Sequence, residues 1–145
     1  MKRFLLWFFA APALCLSLAL PAEAADFEKQ LVKSIGERVL KKQTERDGNC
    51  TVTRYFFKQS PDMVLEFKCD RINVAWDQFN NPPQPAKNAE VAALAKRAAA
   101  ALVGNNGAEV DRALAGHVFK GEDMGNGLKS NGSCQTSCLL SYRAK

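Results

Sequence analysis

Between Phe27 and Leu40 the apolar residues fall at helical intervals: Phe27, Leu31, Ile35 and Val39 make one stripe, and Val32 and Leu40 widen it. That spacing predicts an amphipathic helix over "DFEKQLVKSIGERVLKKQTER", capped by Asp26 and ending near Asp47-Gly48. A stripe of this width packs against a core from one side and needs neither a membrane nor a partner helix to explain it.

The period then shortens to two. "CTVTRYFFKQSPDMVLEFKCD" is rich in Thr, Val, Tyr and Phe around Ser60-Pro61-Asp62, which predicts a β-hairpin. With a loop from Gln59 to Asp62, Phe56 faces Leu65, Arg54 faces Phe67 and Val52 faces Cys69. The core face then carries Cys50, Val52, Phe56, Met63, Leu65, Phe67 and Cys69, with Thr51, Thr53, Glu66, Lys68 and Asp70 turned outward. Arg54 interrupts the core face and is expected to edge out to water or pair with a carboxylate. "RINVAWDQF" continues the extended pattern with the opposite parity, so a bulge or turn near Asp70-Arg71 is needed to bring Ile72, Val74 and Trp76 to the same core.

"NNPPQPAKN" reads as a stiff connector, followed by a helix over "AEVAALAKRAAAALVG" capped by Asn88 and stopped at Gly104. A second short helix follows over "AEVDRALAGHVF", with Val110, Leu114 and Val118 on one side. Lys120 to Gly132 holds four glycines and two Asn-Gly pairs and is expected to be a mobile loop. "CQTSCLLSYRA" places Cys134, Cys138, Leu140 and Tyr142 on one parity and reads as a last strand. The expected fold class is α+β: a small antiparallel sheet, hairpin plus C-terminal strand, packed with about three helices and stapled by disulfides.

The N-terminus has a separate meaning. Lys2 and Arg3 precede an apolar run from Phe4 to Leu20, and Ala22 and Ala24 flank Glu23, which is the layout of a secretory signal peptide cut after Ala24. Leu14 before Cys15 does not suit a lipid-modified cysteine, and no basic stop-transfer cluster follows the run. The expected organisation is a leader over residues 1–24 and one exported domain over 25–145, with no stable membrane insertion after cleavage. Loss of Lys2, Arg3 and Glu23 from 20 basic and 15 acidic residues leaves 18 and 14, a net +4. These charges are interspersed; "KKQTER" suits a solvated helix end, so no nucleic-acid footprint is expected.

Four cysteines remain after export, Cys50, Cys69, Cys134 and Cys138, an even number that argues for two disulfides in an oxidising compartment. Three pairings are possible. If Cys134 and Cys138 share one strand they stand about 13 Å apart, and in a helix their Cβ atoms still miss bonding distance; only a turn closes a direct bridge. The expected arrangement therefore ties the tail to the hairpin by two long-range bridges, to Cys50 and Cys69.

The residues exclude much chemistry. His117 is the single histidine, so a two-histidine mechanism is impossible, and neither G-x-S-x-G nor H-E-x-x-H occurs. His117 lies on the apolar side of its helix, where a partly buried, hydrogen-bonded imidazole is expected. Cys134 and Cys138 are spaced one residue wider than a Cys-x-x-Cys redox motif, and a soft-metal site would have to recruit His117 or Met124. The Asn49 and Asn131 sequons are formal matches in a chain whose leader looks bacterial. No metal, cofactor or catalytic residue is expected. The expected function is non-catalytic binding of a protein or envelope component in the bacterial periplasm or exterior, of the inhibitor, immunity or accessory type. The alternative is a thiol-redox or copper-handling protein using Cys134 and Cys138.

Overall fold

A computed structural model describes residues 20–145; the expected leader falls mainly on residues 1–19, outside the described residues. The described residues form α1 (Leu20–Ser34), β1 (Val39–Asp47), β2 (Cys50–Phe57), β3 (Met63–Lys68), β4 (Arg71–Asp77), α2 (Pro85–Val103), α3 (Ala108–Leu114), β5 (Phe119–Gly125), β6 (Leu128–Cys134) and β7 (Ser137–Ala144). All strands join one antiparallel sheet in the order β1-β2-β3-β4-β7-β6-β5. The mixed α+β class is as the sequence implies, but the sheet is much larger than a hairpin with one added strand.

Three strands come from segments with no strand pattern. The helix begun in α1 stops at Gly36, which takes a left-handed φ of 71°, and the chain from Val39 is edge strand β1. Eight of its nine residues are exposed, so it shows no alternation to read, and "KKQTER" is a solvated edge with lysines that discourage further pairing. The expected mobile loop is the hairpin β5–β6, which turns at Asn126-Gly127 with φ of 49° and 74°, the signs a two-residue I′ turn demands.

The β2–β3 hairpin forms where expected, in a register shifted by one: Phe56 faces Val64 and Tyr55 faces Leu65. A one-residue shift exchanges the faces. Thr53, Tyr55 and Phe57 are therefore inside, while Arg54 and Phe56 lie on the opposite face of the sheet. The turn at Cys69-Asp70, with Cys69 at φ 51°, returns the chain so that Ile72, Val74 and Trp76 share the face of Met63, Leu65 and Phe67.

The helices cover this one face. Leu31 and Ile35, then Val91, Leu94, Ala95, Ala98, Ala99 and Leu102 of α2 and Val110 of α3, meet Phe57, Met63, Leu65, Val74, Trp76 and Leu140 from the sheet. Each fully buried large apolar side chain contributes about 1.5–3 kcal/mol. The buried alanines let α2 lie close over the sheet, and Gly104 ends it in a left-handed cap whose N–H bonds Ala100 O at 2.8 Å. Asn88 is not the cap; α2 starts at Pro85, and Asn88 instead bonds the backbone of Phe79 through both amide atoms. Glu28 fastens α1 to the sheet, accepting from the Tyr55 hydroxyl and from Lys42 Nζ.

Candidate functional site

The disulfides are Cys50–Cys69 and Cys134–Cys138. The expected long-range staples between tail and hairpin are not formed. Cys134 ends β6 and Cys138 lies in β7, directly opposite in register, because residues 135–137 reverse the chain. Their Cα atoms are thus 4.0 Å apart instead of a strand's length. Cys50 opens β2 and meets Cys69 in the β3–β4 turn, with Cα atoms 5.4 Å apart. Both bridges are local clips within neighbouring strands.

The direct Cys134–Cys138 bridge invites a redox reading, yet its surroundings do not favour a thiolate. Cys138 is 2% exposed, and the charged side chains sharing its shallow 120 Å³ pocket are Asp62 and Asp77. A reactive cysteine needs positive neighbours, and carboxylates oppose ionisation. Nor do the soft-metal ligands assemble. Met124 lies half-buried in β5 beside the Leu128 end of β6, about 16 Å from Cys134 at strand rise. His117 follows α3 with its side chain 41% exposed, so it is not on a buried helical side; α3 ends at Leu114. Its Nε2 is 2.8 Å from both Arg112 Nη2 and Glu122 Oε2. Arg112 grips Glu122 through two nitrogens at 2.6 and 3.0 Å, and this bond first, then His117, holds the Glu122 carboxyl below its ordinary range. Among the described residues no group of three or more His, Cys, Asp or Glu is placed to hold a metal ion.

The face of the sheet opposite the helices offers a better site. Its residues alternate with the core positions along each strand. Register sets Lys68 opposite Arg71, Arg71 opposite Arg143, and Arg143 opposite Lys129, a row of four cations across β3, β4, β7 and β6. Neighbouring strands are about 4.8 Å apart, and like charges facing one another across strands are unfavourable. Asp70 relieves this partly, 3.4 Å from Arg71 Nε and 3.7 Å from Arg143 Nε, and Asp47 takes Lys68 at 2.6 Å.

The adjoining row is polar: Arg54, Glu66, Asn73, Ser141 and Asn131 on β2, β3, β4, β7 and β6. Arg54 Nε donates to Glu66 Oε2 at 2.6 Å, and Asn73 Nδ2 donates to Glu66 Oε1 at 2.7 Å. With its nitrogen so engaged, Asn73 keeps Oδ1 as an acceptor. That oxygen and Ser141 Oγ have no hydrogen-bond partner among the described residues, although the residues are only 8% and 9% exposed. Most buried polar groups are paired, so two orphans on facing residues stand out. They line a groove of about 400 Å³ together with Arg71, Arg143, Asn131 and Leu139.

None of these groove residues is marked by a motif. Arg71 and Arg143 are 72 positions apart, and β6, which completes the row, carries no strand pattern. A larger hollow of about 520 Å³ lies on the helix side beside α1, walled by Phe27, Phe67, Ile72, Leu128 and Tyr142. Compared with protein-family models, curated proteins and solved structures, the chain matches none.

Proposed function

We propose that this is an exported, disulfide-bonded, non-catalytic binding protein whose working surface is the uncovered face of its sheet, acting on a protein or envelope component outside the bacterial cytoplasm. One observation carries the reading: among the described residues a seven-stranded sheet has its three helices on one face, leaving the other bare with a groove and a cationic row on it. Supporting the exported setting, the cysteines form two intrachain disulfides, which persist in oxidising compartments. No helix among the described residues is long and apolar enough to cross a membrane.

The test blocks the face while leaving the residues of the groove and of the cationic row unchanged. Val64→Arg with Ala75→Arg places two long side chains on facing residues of β3 and β4. A partner captured by the wild-type protein, identified and re-measured with purified components, is expected to lose binding to this variant while both disulfides and the circular dichroism stay unchanged. Equal affinity for wild type and variant overturns the proposal.

The thiol-redox or copper reading keeps one observation in its favour, the direct pairing of Cys134 with Cys138. Free-thiol counting on protein taken directly from cells separates the two. Under the binding reading no free thiol is found, and Cys134→Ser with Cys138→Ser retains partner binding.

A further inference from the structure

The bare face carries one place where charge and unmet hydrogen bonding coincide. We propose that the groove between β4, β7 and β6 binds an anionic polyol, meaning a sugar ring bearing a carboxylate or phosphate, with Arg71 and Arg143 on the anion and Asn73 and Ser141 on a ring hydroxyl. This rests on the reading of the open face as the working surface and names its ligand.

The anionic half follows from the arginines. Their planar guanidinium forks match carboxylate and phosphate oxygens, and the pair sits in a row of like charges that an anion relieves. Asp70, their present partner, is 63% exposed and holds each at 3.4 Å or beyond, so it is easily displaced.

The hydroxyl half follows from the orphans. Asn73 Oδ1 can only accept a hydrogen bond, since its amide nitrogen serves Glu66, whose charge is in turn answered by Arg54. An inorganic anion satisfies the arginines but brings no ring hydroxyl to this oxygen; a neutral sugar does the reverse. Arg71 precedes Asn73, and Ser141 precedes Arg143, by two residues on their strands, so the two kinds of contact lie about 7 Å apart along the sheet. One sugar ring with its acidic group spans that. The groove's volume of about 400 Å³ suits such a ligand. Neither orphan oxygen is open to solvent, so the ligand reaches them by moving neighbouring side-chain ends.

Titration calorimetry and amide NMR on the protein as its cell processes it decide the matter, with glucuronate, glucose 6-phosphate, glucose and inorganic phosphate as probes. At least one of the two acidic sugars is expected to bind at least about tenfold tighter than both glucose and phosphate, the size of one charge-assisted hydrogen bond. Which one binds tells carboxylate from phosphate. Arg71→Ala with Arg143→Ala is expected to lose about tenfold or more for the acidic sugar. Ser141→Ala is expected to weaken the acidic sugar while leaving inorganic phosphate unchanged. No binding by either acidic sugar at millimolar concentration, phosphate binding as tightly as they do, or arginine variants binding as wild type each overturns the proposal. If the acidic sugars fail while the blocked-face variant still loses a partner, only this inference falls.

Discussion

The Tyr142 hydroxyl donates to Glu109 Oε1 at 3.2 Å with both residues inside the core, 1% and 2% exposed. The bond joins β7 to α3, and Asn105 Nδ2 serves the other carboxylate oxygen at 3.0 Å. A buried carboxylate is tolerable only while its oxygens are answered.

Tyr142→Phe is therefore expected to destabilise by about 1–3 kcal/mol, the cost of orphaning a buried acceptor. Urea unfolding checks this through a lower midpoint at unchanged slope; a loss below about 0.5 kcal/mol refutes it. The same burial, with Glu109 adding its charge, raises the Tyr142 phenol well above its ordinary value of 10, and burial first, then Glu28, raises Tyr55. Raised folded values mean that stability is intact below pH 10 and falls as pH rises beyond it, where only the unfolded chain ionises readily. Native protein at pH 10 is expected to show little tyrosinate absorbance and unfolded protein much more.

The register of β2 against β3 separates two adjacent phenylalanines. Phe57 is fully buried under the helices, whereas Phe56 is half-exposed on the open face. Phe57→Ala is expected to cost about 3–5 kcal/mol and Phe56→Ala less than about half of that. The reverse order in denaturant melts means that the hairpin is paired one residue differently.

Peptide mapping by mass spectrometry is expected to recover Cys50 linked to Cys69 and Cys134 linked to Cys138, with no cross-linked peptide between the two hairpins. The first pair closes the longer loop, so removing it is expected to cost about 3 kcal/mol, against about 2 for the second, in the chain-entropy account. A bridge from Cys134 or Cys138 to Cys50 or Cys69 contradicts the topology itself.

Gly132 lies in β6 at φ 144°, and a Cβ there sits 1.8 Å from the Leu139 carbonyl oxygen of β7. The obstacle is backbone, which cannot step aside without parting the strands. Gly132→Ala is expected to lose more than about 3 kcal/mol or fail to fold, whereas Ser133→Ala on the exposed side changes stability by less than about 0.5 kcal/mol.

Much of this architecture is written in local pattern. The apolar period in α1, the alanine-rich α2 and the alternation in β2, β3 and β4 survive because each buries one face against a core. The opposite parity of Ile72, Val74 and Trp76 correctly demands a turn before them, and Cys69-Asp70 supplies it. Edge strand β1 is invisible because exposure on both sides removes the alternation that marks a strand. In β5 and β6 the glycines that suggest a loop serve instead as the hairpin turn and as the point where two backbones crowd together.

Composition and short-range periodicity determine that this chain mixes helices with antiparallel strands and carries four cysteines suited to two bridges. The tertiary structure decides what those signals mean in space. A turn of three residues makes Cys134 and Cys138 partners, and one residue of register chooses which phenylalanine is buried. The groove with Arg71, Asn73, Ser141 and Arg143 exists only because β4, β7 and β6 lie side by side. Periodicity records which face of an element is buried, whereas pairing between distant strands depends on turns and register, which leave almost no trace in the local order of residues.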